Sequence, residues 1–112
     1  MQNAIAEIIS TMTENVQALE ALGESLKGQD LGAVYVLENQ GFFVCVESGK
    51  ASACGLIGAS RHTQAEALKL ARIVKNGNNH PARALPLGEA LAHELAQARE
   101  TLADIEARAA SL

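Results

Sequence analysis

A chain of 112 residues, 48% hydrophobic and 20% charged, has the size and apolar content of one domain with its own core, which excludes a disordered chain. An aromatic fraction of 3% requires that core to be aliphatic, and a net charge of -4 argues against a general polyanion binder. With no basic leader and no apolar run of about 18 residues, the expectation is a cytoplasmic chain without membrane contact.

The first element is helical. Ile5, Ile9, Met12, Val16, Leu19 and Leu26 recur at steps of four and three, with Gly23 at the step between the last two. This predicts a long amphipathic helix within residues 1–28, capped by Asn3 and ended by Gly28. The period then changes to two. GAVYVLE and GFFVCVES flank Asn39-Gln40-Gly41, the signature of an antiparallel hairpin with a three-residue loop. ASACGLI, after Ser48-Gly49-Lys50, supplies a third strand, and its small residues suggest that something packs closely over it. Residues 32–58 are thus expected to form a three-stranded antiparallel β-meander.

Thr63-Gln64-Ala65-Glu66 is a capping box, in which hydroxyl and carboxylate satisfy backbone N–H groups at a helix start. It opens a helix over residues 63–76 whose buried stripe is Ala67, Leu70, Ala71 and Val74, with Asn76-Gly77 as its stop. Residues 77–85 read as a loop. Pro86 suits the first turn of a last helix, 86–111, where a missing N–H costs nothing. Leu91, Leu95, Ala98, Leu102, Ile105, Ala109 and Leu112 alternate steps of four and three along it, an a/d seam of about three heptads.

Charge is segregated along these elements. Residues 61–85 carry five bases, Arg61, Lys69, Arg72, Lys75 and Arg83, against Glu66 alone, while both terminal helices are acidic. Lys69, Arg72 and Lys75 fall on the water side of their helix, as amphipathicity requires. Arg61, His62, His80 and Arg83 lie outside that helix, and helical periodicity does not explain them. The seven together form a candidate partner-binding segment.

Chemical motifs fail on spacing. His93-Glu94 lacks the second histidine of a zinc helix, since Gln97 stands in its place. Gly49-Lys50-Ala51 lacks both the leading glycine and the hydroxyl of a phosphate loop. Gly55-Leu56-Ile57-Gly58 is explained by turn geometry, and Cys45 and Cys54 fit a reduced core better than a disulfide or a nucleophile. The expectation is no catalytic residue, no metal and no cofactor. Tyr35, Phe42 and Phe43 cannot form a stacking platform for single strands, because adjacent strand residues face opposite ways.

Helices of about 24 residues are roughly 36 Å long and outreach strands of about 20 Å, so their apolar seams need partners. Ile5, Ile9, Met12, Val16 and Leu19 on one helix, and Leu91, Leu95, Leu102 and Ile105 on the other, are expected to pair within a chain or between two chains of a homodimer. The run from Val34 to Asn76, hairpin strands followed by T-Q-A-E-A-x-x-x-A-R, resembles small sheet-plus-helix proteins in the style of bacterial and phage accessory proteins. That resemblance identifies no activity, and small size, charge segregation and the lack of chemical motifs lead to the expectation of an adaptor or inhibitor. The sequence therefore reads as one α+β domain acting by protein binding and as a homodimer. The alternatives are a nucleic-acid accessory protein contacting phosphates through Arg61 to Arg83 and a weak enzyme.

Overall fold

The computed structural model describes residues 2–75 and 80–111. Among these, the fold is α+β: α1 (Gln2–Ser25), β1 (Tyr35–Asn39), β2 (Phe42–Glu47), β3 (Lys50–Cys54), α2 (Gln64–Ile73), β4 (Arg83–Pro86) and α3 (Leu87–Ala110). The chain divides into two compact units. One holds α1, Lys27 and α3 from Ala92 onward; the other runs from Gly28 to Leu91.

The sheet has four antiparallel strands in the order β3-β2-β1-β4, where the sequence predicted three. β4 lies at the end of the expected 77–85 loop and pairs Arg83 with Glu38, Ala84 with Leu37, Leu85 with Val36 and Pro86 with Tyr35. Pro86 is therefore the last residue of a strand rather than the first turn of α3. An edge strand tolerates it there, since its missing N–H would have faced outward.

Both hairpins turn more tightly than expected. Asn39 pairs with Phe42 and Glu47 with Lys50, which leaves two-residue loops, Gln40-Gly41 and Ser48-Gly49. All four loop residues have positive φ (51°, 94°, 50° and 77°), the backbone twist that joins antiparallel strands without splaying them. Gln40 and Ser48 hold that conformation against the clash of their own Cβ atoms. β3 stops at Cys54, and Leu56–Gly58 forms a 3-10 turn instead of continuing the strand. Contrary to expectation, Ala51, Ser52 and Ala53 lie exposed among the described residues.

α1 begins at Gln2, one residue ahead of the predicted cap, and Gly28 follows its end at φ +85°, as a helix terminator should. Thr63 caps α2 by accepting the Glu66 N–H at 3.2 Å. The helix closes at Ile73, ahead of the predicted end at 76, because Val74 turns extended and its carbonyl accepts the Ala82 N–H at 2.9 Å. The Asn76-Gly77 stop lies outside the described residues.

The stripe read from the sequence is the face that α2 buries. Leu37, Val44, Ala67 and Ala82 form a buried cluster, flanked by Tyr35, Val46, Leu70, Ala71, Val74 and Ala84. Leu37 and Ala67 have no exposed surface, and full burial of a leucine side chain contributes about 2 kcal/mol. α2 packs against β1 and β4, and the cluster beneath it reaches Val44 and Val46 of β2, while Ala51 and Ala53 of β3 stay exposed on that face.

Candidate functional site

The seven residues of the basic segment go to different places. Arg61, Lys69, Arg72 and Lys75 are exposed. On α2, Lys69 and Arg72 share the water side with two large aliphatics, Leu68 at 52% and Ile73 at 67% exposure. The spacing 68, 69, 72, 73 puts all four on one helical face. The outer face of α2 is thus half apolar, which the buried stripe alone did not reveal.

Arg83 is drawn into an ion pair. Its Nε donates to Oε2 of Glu38, whose side chain is 10% exposed, and Glu38 Oε1 accepts the Gly41 N–H at 2.9 Å. A buried carboxylate needs this compensation, so Arg83 and the turn glycine hold the β1 to β2 hairpin against β4. Nearby, Asn39 Nδ2 donates to the His80 carbonyl at 2.9 Å, which fastens the 80–82 segment to the hairpin.

His62 is turned inward. Its side chain is 9% exposed, with Nε2 2.9 Å from Ser60 Oγ and Nδ1 3.2 Å from Glu66 Oε1. The Glu66 carboxylate therefore meets the imidazole rather than completing the capping box. Ser60 and His62 fill the gap where β1 and β2 part: Tyr35 and His62 exchange both backbone hydrogen bonds at 2.8 Å, and Ser60 N–H donates to Val44 O at 3.2 Å. Ser60 Oγ also accepts the Val46 N–H at 3.1 Å and lies 3.3 Å from Val44 O.

Serine, imidazole and carboxylate thus stand in the contact order of a nucleophilic triad. Yet the Ser60 oxygen spends a lone pair on the β2 backbone. The chemistry this favours is a hydroxyl rotor. With neutral His62 carrying its proton on Nδ1, Ser60 donates to Nε2 and the Nδ1–H faces Glu66. With His62 protonated, Nε2 donates to Ser60 and the hydroxyl turns to Val44 O. Either form leaves each group with a partner. Sequence reasoning missed the cluster because spacings of two and six match no motif, Ser60 and His62 fall between the expected third strand and helix, and Glu66 was assigned to the capping box.

On the open part of the α2 face, a cavity of about 500 Å3 is lined by Asn39, Gln40, Phe42, Phe43, Val44, Ala51, Ser52, Ala53, Val74 and Lys75. Phe42 is 63% exposed at this wall. Cys45 and Cys54 are free thiols on the opposite sheet face, where burial, with Cys45 beside it, pushes the Cys54 thiol above its ordinary value. Among the described residues no group of three or more His, Cys, Asp or Glu side chains could hold a metal ion.

In the helical unit, Glu20 of α1 and Arg99 of α3 form an ion pair at 3.1 Å, and Met12, Asn15, Glu94, Gln97, Ala98 and Thr101 line one cavity. The two seams therefore approach each other within one chain. Val16, Leu19 and Leu91 are buried, whereas Ile5, Ile9, Met12, Leu95, Leu102 and Ile105 stay half-buried and Ile8 is exposed. No described helix is long and apolar enough to cross a membrane. Comparison of the chain with protein-family models, curated proteins and solved structures finds no match.

Proposed function

We propose that the protein is a small non-catalytic binding module, an adaptor or inhibitor, that docks on another protein through the outer face of α2. The observation that carries this is the pair Leu68 and Ile73 standing in water beside Lys69 and Arg72. Aliphatic surface next to arginine is what a protein interface buries, and it adds nothing to a phosphate contact. A photo-crosslinking residue placed at Ile73 in cells is expected to capture a protein, with Glu89 as the control position. Crosslinks equally frequent at both positions would refute the reading.

The half-buried seam on α1 and α3 supports self-association as a homodimer. Ile8→Glu changes an exposed position, so the mass by light scattering should fall from dimer to monomer without loss of helix. A monomeric parent would remove this part of the proposal. The two free thiols fit a reducing compartment, and we place the protein in the cytoplasm.

Exposed Arg61, Lys69, Arg72 and Lys75 favour a second reading, phosphate contacts to nucleic acid. Four such contacts would give log K against log salt a slope of about -3.6 on a short duplex. Duplex binding with that slope, lost in a Lys69→Glu, Arg72→Glu variant, would replace the protein-binding reading.

A further inference from the structure

The bonds of β2 determine which way the backbone of β3 points. Val44 O accepts from Ser60 N–H and Val46 N–H donates to Ser60 Oγ, so both residues turn their peptide groups away from β3. Their cross-strand partners are Ala53 and Ala51. Facing residues of this kind make non-hydrogen-bonded pairs, so the N–H and C=O groups of Ala51 and Ala53 point out of the sheet. Their side chains are exposed methyl groups, and the β2 to β3 register runs unbroken from Glu47↔Lys50 to Phe43↔Cys54.

The other edge is protected. Leu87 N–H bonds Val34 O at 2.7 Å and the register continues through Val36↔Leu85 and Glu38↔Arg83, which leaves Ala84 and Pro86 facing outward. Proline offers no donor, and Val74 O already takes the Ala82 N–H beside it. β3 carries neither device. Next to it, on the face that Ala51 and Ala53 share with Val44, lies the 500 Å3 cavity with Phe42 in its wall. The charge among the described residues of that lining is Lys75, and Lys50 opens the strand.

We propose that β3 takes up an extended acidic segment of a partner protein as a fifth strand, with an apolar side chain against Phe42 and a carboxylate toward Lys75, an inference that rests on the protein-binding reading above. The ladder supplies affinity through Ala51 and Ala53, and the cavity and Lys75 supply selection. Small side chains on β3 suit this use, because they let an incoming backbone approach at the usual strand spacing of about 4.8 Å.

The test titrates a capped heptapeptide of alternating valine and glutamate into isotope-labelled full-length protein and follows the amide resonances. Shifts are expected at Phe42, Ala51, Ala53 and Lys75, with slowed amide exchange at Ala51 and Ala53. Ala53→Pro deletes an outward donor while leaving the β2 ladder intact, and Phe42→Ser alters an exposed side chain without touching the core. Each should weaken binding about tenfold, and the lysine counterpart of the peptide should bind more weakly than the glutamate one.

No shift on β3 at about 1 mM peptide, or equal binding of both peptides, would overturn the inference. So would edge shifts that grow with protein concentration alone, which would assign β3 to a second copy of this chain. Shifts confined to Leu68, Lys69, Arg72 and Ile73 would also overturn it while leaving the α2 docking face standing. Failure at both surfaces, with no crosslink from Ile73, would remove the protein-binding reading itself.

Discussion

Ser60→Ala removes one oxygen from the gap between β1 and β2. The Val46 N–H loses its acceptor and His62 Nε2 loses its partner, while Val44 O keeps the Ser60 N–H. Both lost bonds are partly buried, and each costs about 1 to 1.5 kcal/mol when its partner is left unpaired, so the expected loss is about 2 to 3 kcal/mol. With an m-value of about 1.5 kcal/mol/M, the urea midpoint falls by about 1.5 M. The melting temperature of a chain this long should fall by about 10 °C. Glu66→Gln, which touches the same imidazole from a 60% exposed position, should cost under about 0.5 kcal/mol. In a double-mutant cycle, Ser60→Ala and His62→Ala should couple by about 1 kcal/mol. A Ser60→Ala loss below about 0.5 kcal/mol at unchanged m would mean that water replaces the hydroxyl. The rotor would then not hold the sheet.

Leu37→Ala empties a site with no exposed surface between β1 and α2 and should cost about 2 to 5 kcal/mol in the same urea assay. Ser48→Asn, at φ 50° in the second hairpin, should raise stability by about 0.5 kcal/mol, since asparagine tolerates the left-handed region better than serine. The Cys54 thiol is raised by its burial, so its reaction with a disulfide reagent should stay slow near neutrality and accelerate only above the ordinary thiol value of 9.0. Linkage gives the matching sign: the folded state disfavours the thiolate, so Cys54 contributes stability below the unfolded thiol value and loses it as pH rises through the folded one. A Cys54→Ser variant should flatten the alkaline arm of the stability curve.

The helices were legible because their signals are local and repeated. Five apolar positions in α1, the heptad seam of α3 and the Thr63 hydroxyl of α2 each act within a turn or two of the chain. β4 was not legible, since four residues, one of them proline, are too few for a period, and their partner lies about 45 positions away. The hairpins were found but given one residue too many, because Gln40 and Ser48 are poor left-handed residues and the sequence reserved that role for glycine. Among the candidate binders, the positions of Lys69 and Arg72 followed from periodicity. The inward turn of His62 and the pairing of Arg83 depended on Ser60, Glu66 and Glu38, residues whose roles exist only once the strands have met. The exposure of β3 ran against its reading as a covered strand, since alanine and serine leave the same trace whether they are packed over or left bare.

β1 sits in the middle of the sheet, yet its two neighbours are made at very different times. β2 follows it after a two-residue turn, whereas Arg83, opposite Glu38, is 45 positions further along. At about 5 to 20 residues per second, synthesis needs roughly 2 to 9 s to cover that distance. Throughout that interval the nascent meander presents two raw edges, β3 on one side and β1 on the other, with the Glu38 carboxylate still waiting for its counter-ion. Closure of such a long loop is entropically costly and slow compared with hairpin formation. The emerging chain is therefore most open to mispairing on the ribosome, before its last quarter has been made.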